Sequence, residues 1–193
     1  MKGKQVVLGH IGKTKVAALL VDEFVQDVLV EDLNRLPLGS LLRAVVDRPV
    51  KGIGGVILRL PNGTGFLKKA KGLAPGQTLT VQTSGFAEEG KADPVTQRIL
   101  IKSRYAIVTP DQPGLNISRQ ISSDDLRDAL TLLAKSAMSG SDMGLIIRSA
   151  AAAADLEQIG EDIQTMRATA EAIAAETGQE PEVLLEGDDP HVQ

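Results

Sequence analysis

The first 33 residues alternate apolar, β-branched runs with turn residues. Residues 5–11, 14–21 and 24–30 are each long enough for one strand, and Gly12-Lys13 and Asp22-Glu23 stand between them. This pattern predicts three strands joined by tight turns, which is a small meander. Because three strands bury little apolar surface, we expect the meander to dock on another part of the structure.

A second set of strand-like runs follows, with glycine-rich segments at its corners. The predicted strands are 36–46, 55–60, 64–69, 77–83 and 97–108. Five short strands separated by turns such as Pro61-Asn62-Gly63 predict a small Greek-key barrel of the OB-fold type. Barrels of this type bind oligonucleotides on one face.

The C-terminal third has helical patterns. Cap residues and acids at 122–125 precede a predicted helix at 126–136, and 143–148 is a short apolar strand. A long helix is predicted from about 152 to 177, with Gly178 as its C-cap. Its apolar seam is expected to pack on the chain's own sheet, since it spans fewer than three heptads of a coiled coil. The seam residues are Leu156, Ile159, Ile163, Met166, Ala170 and Ile173.

The charge distribution divides the chain. Residues 34–121 contain 13 Lys/Arg and 5 Asp/Glu, whereas 122–193 contain 4 and 15, so the net charge of −4 conceals a basic block. A basic barrel suits a polyanion, because Lys and Arg contact phosphates and displace bound counterions. The alternative is a solvated face with an uneven share of charges.

Composition narrows the class of protein. The sequence has no cysteine, which excludes disulfides, cysteine–zinc sites and thiol nucleophiles and fits a reducing compartment. The N-terminal residues lack the apolar run that is typical of a signal peptide. No apolar stretch of the sequence reaches the roughly 20 residues that a membrane span needs. We therefore expect a soluble, cytoplasmic chain without membrane contact. Its core should be aliphatic, because only 2% of its residues are aromatic.

A phenylalanine and a group of lysines stand together at the third predicted barrel strand. An exposed Phe66 would stack a base, which contributes about 1–3 kcal/mol, while Lys68 and Lys69 meet phosphates. Equally, Phe66 could belong to the core. Lys91 lies in a polar loop before the last predicted barrel strand, and such loops border the nucleic-acid groove. A solvated loop lysine is the alternative there.

In two further segments a serine and an arginine follow directly after a tight turn or an apolar run. Residues 113–119 end in Ser118-Arg119, and residues 143–149 end in Arg148-Ser149, where a helix would begin. A guanidinium fork, a hydroxyl and the free N–H groups of a helix start all donate to phosphate. A terminal-phosphate pocket is therefore one interpretation, and an arginine paired with nearby acids is the other.

No catalytic centre is predicted. His10 and His191 are the only histidines and lie at opposite ends, without a spaced partner for metal binding or base catalysis. Glu186, Asp188 and Asp189 could hold a divalent ion but are expected to be solvated. The sequence has no Gly-rich phosphate loop and no serine nucleophile elbow. We therefore expect no catalytic residue, metal ligand or cofactor in this chain.

Taken together, these motifs resemble the N-terminal part of the ribonuclease E/ribonuclease G endoribonuclease family. Their order is the family's: an N-terminal β segment, an S1 barrel, then a sensor for the RNA 5′ end. The two stretches closest to the C-terminus, together with the distance between them in the sequence, are the most specific part of the match. The matching stretches are Gly65-Phe66-Leu67, Val81-Gln82 leading to Lys91, Tyr105–Pro110, Ile117-Ser118-Arg119 and Gly144-Leu145-Ile146-Ile147-Arg148-Ser149.

The resemblance implies an α+β fold. An S1-type OB-fold five-stranded β-barrel is inserted after a short β-meander, and a mixed α/β sensor region with a long C-terminal helix follows. The implied limits are 1–33 for the meander, part of a ribonuclease-H-like subdomain, 34–104 for the barrel and 105–178 for the sensor. Residues 179–193 are acidic with two prolines and are interpreted as a linker or tail.

The resemblance also implies roles for single residues. The S1 positions that contact single-stranded RNA match Phe66 and Lys91, and Lys68 and Lys69 stand beside the first of them. The positions that hold a 5′-monophosphate match Arg148 and Ser149, and an adjacent basic position matches Arg119.

The sequence departs from the family pattern at several positions. Val56 stands where a second S1 aromatic is common, so a lower RNA affinity is expected. Gln120 stands where a second arginine is usual, and Ser149 replaces a threonine but keeps the hydroxyl. The two aspartates that bind Mg²⁺ for phosphodiester hydrolysis, and the family's Cys-Pro-x-Cys zinc link, have no counterpart.

We therefore expect a fragment that binds RNA, senses its 5′ end and does not cleave RNA alone. Mg²⁺, a missing catalytic domain and a homo-oligomer are expected only for the full-length family enzyme. One alternative is a stand-alone, non-catalytic RNA-binding regulator, which a stop codon directly after Gln193 would favour. The other is a self-contained enzyme, against which the lack of paired carboxylates on predicted elements argues.

Overall fold

The computed structural model describes residues 3–50, 52 and 54–192. They form two compact units, one from the described residues of Met1–Gln97 and Gln179–Gln193 and the other from Arg98–Gly178. In the described part of the chain, no helix is long and apolar enough to cross a membrane.

The first unit begins with the predicted meander. Strands β1 (Lys4–Ile11), β2 (Thr14–Val21) and β3 (Phe24–Val30) pair antiparallel in the order β1-β2-β3, within a residue of the predicted limits. Asp22 and Glu23 turn the chain in the left-handed region, with φ of 49° and 72°. The meander leaves many large apolar side chains exposed, including Val6, Ile11, Phe24 and Val25.

A closed five-stranded barrel follows. Its strands are β4 (Leu41–Val50), β5 (Gly55–Leu60), β6 (Gly63–Lys68), β7 (Thr78–Thr83) and β8 (Asp93–Thr96). The order is β4-β5-β6-β8-β7, and pairing of β7 with β4 closes the barrel. The β6–β8 pair is parallel and the others are antiparallel. This confirms the predicted OB-fold barrel.

The last barrel strand was predicted at the wrong place. The barrel closes with β8, which ends at Thr96, and not with 97–108. Residues 97–108 instead supply two short strands of the second unit, Ile101–Lys102 and Ala106–Thr109. The sequence signal was weak because β8 has only four residues and includes Pro94, which cannot donate a ladder hydrogen bond.

Alternation along the strands sets the barrel core. Every side chain of this core is aliphatic, as the composition predicts, and the phenylalanine of β6 is not among them. Because successive side chains point to opposite faces, a buried Leu67 places Phe66 and Lys68 on the outside. The core residues are Leu42, Ala44, Val46, Val56, Leu58, Leu60, Leu67, Val81 and Val95.

The segment interpreted as a linker or tail, 179–193, folds back on this unit. Strand β13 (Glu182–Leu185) pairs antiparallel with β4. Arg43 on β4 is 6% exposed; its side chain is ion-paired with the Glu182 carboxylate and donates from Nε to the Glu180 carbonyl at 3.1 Å. An acidic composition predicts solvation, but the partner is a buried arginine far away in the sequence, which composition does not reveal.

The end of this segment lies on the meander. Lys15 Nζ is 2.5 Å from the Asp189 carboxylate, and His191 Nε2 is 3.0 Å from the Gly9 carbonyl oxygen. The rings of His10 and His191 meet edge to face with centroids 5.0 Å apart. Asp189 is therefore half of an ion pair, and among the described residues no cluster of three or more His, Asp or Glu could hold a metal ion.

This ion pair makes the docked segment sensitive to pH. The hydrogen bond from Lys15, and then the backbone N–H of His191, lower the pKa of Asp189 from its ordinary 3.8, while Asp189 raises the pKa of Lys15 from 10.5. A carboxylate whose pKa is lowered by folding stabilises the folded state fully at pH values above its unfolded pKa. An ammonium group whose pKa is raised by folding does so at pH values below its unfolded pKa. The Lys15–Asp189 ion pair therefore stabilises the folded state fully between pH 3.8 and pH 10.5, the ordinary pKa values of the two groups.

We expect Asp189→Asn at neutral pH to loosen the segment as acidification through the lowered pKa of Asp189 does. The backbone amide of His191 donates to Asp189 Oδ1 at 2.7 Å. In the variant its chemical shift should change, and its hydrogen should exchange with solvent faster. Glu186→Gln, an equal change of charge on the same segment, is the control. An unchanged His191 amide in Asp189→Asn would contradict this account.

The second unit is a four-stranded sheet with two helices. Its strands are β9 (Ile101–Lys102), β10 (Ala106–Thr109), β11 (Leu115–Ile117) and β12 (Gly144–Ile147), in the order β11-β12-β10-β9. Strand β11 runs parallel to β12, and β10 runs antiparallel to both β12 and β9. Helix α1 (Asp124–Ala137) begins two residues before its predicted start, and its N-cap is Ser123 of the predicted cap segment, whose hydroxyl accepts from the Leu126 N–H.

The long C-terminal helix is shorter than predicted. Helix α2 spans Leu156–Ala174 and its C-cap is Ala175, not Gly178. Residues Ser149–Ala153 form a separate 3₁₀ helix, because the chain is extended at Ala154 and Asp155. Ile159, Ile163 and Ala170 are buried, and α2 packs on β10, β9 and α1. The prediction that its seam packs on the chain's own sheet is confirmed.

Candidate nucleic-acid interface

Phe66 lies on the outer face of the barrel, so its interpretation as a core residue is excluded. It is half-buried and pairs across the parallel β6–β8 ladder with Pro94, while the next pair, Leu67 and Val95, points into the core. A Cβ on Gly55 of β5 would come within 2.6 Å of the Phe66 ring. The ring therefore packs directly against β5 at Gly55, where there is no side chain to push it away.

Basic side chains surround this ring. Lys68 is on the same strand and face, Lys69 follows it, and Arg59 lies on the neighbouring β5; all three are exposed. In the described part of the chain none of the three has a carboxylate within ion-pair distance. Residues 34–97 carry nine Lys/Arg and four Asp/Glu, so the barrel itself is positive. An aromatic surface within a basic one is what single-stranded nucleic acid requires.

Lys91 lies in the loop between β7 and β8, as predicted, but it is already paired. Its Nζ is 2.6 Å from the Glu88 carboxylate, and its backbone N–H donates to the Glu88 carbonyl at 3.0 Å. A phosphate would therefore compete with Glu88 for this ammonium group.

Glu88→Gln is expected to strengthen RNA binding by about two- to fivefold at low salt. An exposed ion pair contributes at most about 1 kcal/mol, and its loss frees Lys91 for phosphate. The slope of log K against log salt should steepen by about one unit. Glu89→Gln removes the same charge from the same loop without touching Lys91. Equal gains in the two variants would mean that Lys91 contacts no phosphate.

The second unit brings the other predicted residues together. Strands β11 and β12 run parallel with Ile117 opposite Ile147, and the Ser118 N–H donates to the Ile147 carbonyl at 2.9 Å. Both strands therefore end at the same edge of the sheet. We call this the strand-end edge, and its exposed or half-buried residues are Ser118, Arg119, Arg148 and Ser149.

Arg148 is held by two carbonyl groups, one through its backbone and one through its side chain. Its backbone N–H donates to the Tyr105 carbonyl at 2.8 Å, and its guanidinium donates from Nη1 to the Ser103 carbonyl. Among the described residues no acid forms an ion pair with it, so the predicted alternative of an acid-paired arginine is not what the structure has. Arg104, which sequence reasoning missed, lies over the Tyr105 ring at 5.6 Å.

Two residues that sequence reasoning did not single out fix this edge. Asp162 of α2 accepts from the Ser103 hydroxyl at 2.5 Å and from the Tyr105 N–H at 3.1 Å. Arg127 of α1 donates to the carbonyls of Ser118 at 3.0 Å and Ile121 at 3.1 Å. Arg127 binds backbone carbonyls, and Asp162 binds one backbone N–H and one hydroxyl, so no sequence motif marks them.

The fold and these exposed groups define an α+β protein with an OB-fold barrel and a separate cationic strand-end edge. The model of the Ribonuclease E/G family matches residues 100–193, which include the whole edge. The chain is also 28% identical to Ribonuclease E of Nostoc sp. (strain PCC 7120) and 25% identical to Ribonuclease E of Synechocystis sp. (strain PCC 6803), over 98% of its length in both cases.

The resemblance inferred from the sequence is thus confirmed. The chain is similar to the ribonuclease E/G family, and its matches are consistent with the N-terminal region of that family. It spans 30% of the length of these two curated relatives.

Proposed function

We propose that this chain is the RNA-binding, 5′-monophosphate-sensing N-terminal part of a ribonuclease E/G-type endoribonuclease of RNA processing and decay. The observation that carries the proposal is the parallel register of β11 and β12. It brings Ser118-Arg119 and Arg148-Ser149 to one edge, inside the stretch that matches the family.

The chemistry of this edge suits a terminal phosphate. A 5′-monophosphate has more charge and more free oxygens than an internal phosphodiester, and a guanidinium meets two of those oxygens at once. Arg148 would supply that fork, with Ser149 as a hydroxyl donor and Arg119 as a second charge. An RNA that ends in a 5′-hydroxyl offers none of these acceptors at its end.

The barrel would hold the RNA strand itself. A base would stack on Phe66 while Lys68 and Lys69 contact phosphates, so this part of the binding depends on salt and tolerates sequence. We regard this barrel as an S1-type domain on the family resemblance. It would bind RNA with either kind of 5′ end.

We assign RNA cleavage by the full-length enzyme to sequence outside the 30% that this chain spans. We expect the ligands of the family's magnesium ion to lie there as well. In the described part of the chain, no group of three or more acids and histidines could hold a metal ion. Under this proposal the partners of the chain are a catalytic domain or further copies of the chain. The proposed location is the cytoplasm.

Fluorescence anisotropy tests the proposal. A short single-stranded RNA with a 5′-monophosphate is compared with the same RNA ending in a 5′-hydroxyl, at two salt concentrations. We expect salt-dependent binding of both RNAs and tighter binding of the monophosphate. Equal affinities would overturn 5′ sensing, and the absence of salt-sensitive binding would overturn RNA binding by the barrel.

A further inference from the structure

Phe86 is an exposed aromatic residue in the loop between β7 and β8, and its side chain is 45% exposed. The chain has three phenylalanines: Phe24 on the meander, Phe66 on the barrel face and Phe86 in this loop. Singly exposed apolar residues are common on proteins, so exposure alone assigns Phe86 no role. Its setting gives more information.

The Phe86 ring is held in place by an arginine. The Arg35 guanidinium lies 5.6 Å from the ring centroid, and Arg35 Nη1 donates to the Ala87 carbonyl at 2.8 Å. Asp93 at the start of β8 accepts from the Ala87 N–H at 2.9 Å and lies 3.5 Å from Arg35. The arginine therefore lies over one face of the ring, and it is itself ion-paired with Asp93 and Asp32.

Pro94 connects this loop to the Phe66 face. Pro94 is the neighbour of Phe66 across β6 and β8, on the same outer face. The Ser84 N–H donates to the Pro94 carbonyl at 3.0 Å, and a Cβ on Gly85 would lie 3.0 Å from Pro94 Cγ. Pro94 is therefore a neighbour of both Phe66 and Gly85, and Phe86 follows Gly85 in the chain.

We propose that Phe86 is a second base-stacking platform, so that the barrel binds a run of unpaired nucleotides across β6 and β8 into the β7–β8 loop. This inference rests on the proposed RNA binding by the barrel. Stacking tolerates sequence because every base has a π-face. Val56, at the position where the family commonly has its second aromatic, is 3% exposed and lies in the core. Phe86 supplies the platform that Val56 does not.

The test measures binding of a 5′-hydroxyl single-stranded RNA, so that recognition of the 5′ end does not contribute. Phe86→Leu keeps an apolar side chain and removes the flat ring. We expect it to weaken binding at least about fivefold without changing the slope of log K against log salt, since no charge is lost. Phe66→Leu should act similarly, and Phe24→Leu, on the meander, should bind like the unchanged chain.

A second measurement replaces bases instead of the ring. RNA with abasic nucleotides should bind the unchanged chain more weakly, and Phe86→Leu should then add little further loss. If Phe86→Leu binds like Phe24→Leu while Phe66→Leu is weakened, this inference is overturned and the proposed function stands. If the unchanged chain binds no RNA, both are overturned.

Discussion

Replacing Arg148 by alanine is expected to abolish the preference for a 5′-monophosphate and leave the affinity for 5′-hydroxyl RNA unchanged. A hydrogen bond to a charged group contributes about 1.5–3 kcal/mol, so phosphorylated RNA should bind about 10- to 150-fold more weakly to the variant. The side chain is exposed, and its hydrogen bond to the Ser103 carbonyl is replaceable by water. The loss should therefore appear in binding and not in folding.

Two further variants make this result specific. Arg148→Lys keeps the charge but loses the two-pronged geometry, so it should retain part of the preference. Lys135→Ala removes an equal charge beside Leu115 and Leu145, at the opposite end of β11 and β12. It should keep the full preference. A preference that survives in Arg148→Ala would show that the strand-end edge does not bind the terminal phosphate.

Gly144→Ala is expected to lower the free energy of unfolding of the second unit by at least about 3 kcal/mol, because an added methyl group meets backbone that cannot move aside. Gly144 opens β12 opposite Thr109 of β10. The Thr109 hydroxyl donates to the Gln112 carbonyl at 2.8 Å, which folds this turn over Gly144. A Cβ there would overlap both the Gln112 carbonyl oxygen and the Thr109 hydroxyl.

The single tyrosine gives a direct measurement of this loss. Tyr105 belongs to the second unit and the chain has no tryptophan, so urea unfolding followed by tyrosine fluorescence reports on that unit. Gly160→Ala in α2 is the matched control, since its methyl group would meet only the Leu133 Cδ1 atom, at 3.2 Å, and alanine favours helix. Equal stability of Gly144→Ala and the unchanged chain would show that the 109–112 turn does not pack on β12 as described.

Local patterns predicted the elements whose signals are local. The meander strands, β5 to β7 and the start of α1 lie where alternation, turn residues and capping residues indicate. Two of the elements that were misplaced, β8 and β13, depend on distant partners, whereas β4 was predicted at 36–46 and lies at Leu41–Val50. Strand β8 is four residues with a proline and exists because β6 and β7 flank it, and β13 is an acidic segment held by the buried Arg43.

The candidate site divides in the same way. Motifs marked Arg119, Arg148 and Ser149, but only the pairing of β11 with β12, whose residues are about 30 positions apart, places them at one edge. No motif marks Asp162 or Arg127, because Asp162 binds groups 57 and 59 residues away and Arg127 binds main-chain carbonyls. The family roles of Phe66, Lys91 and the edge residues stay predictions until binding is measured.

The most direct test of the central claim is an NMR titration of the backbone amides with a 5′-phosphorylated dinucleotide and, separately, its 5′-hydroxyl counterpart. The account predicts that the amides of Arg119 and Ser149 shift together, with one saturation curve, for the phosphorylated ligand alone. Shifts at only one of these two amides, or equal shifts with both ligands, would contradict a single phosphate site at the ends of β11 and β12.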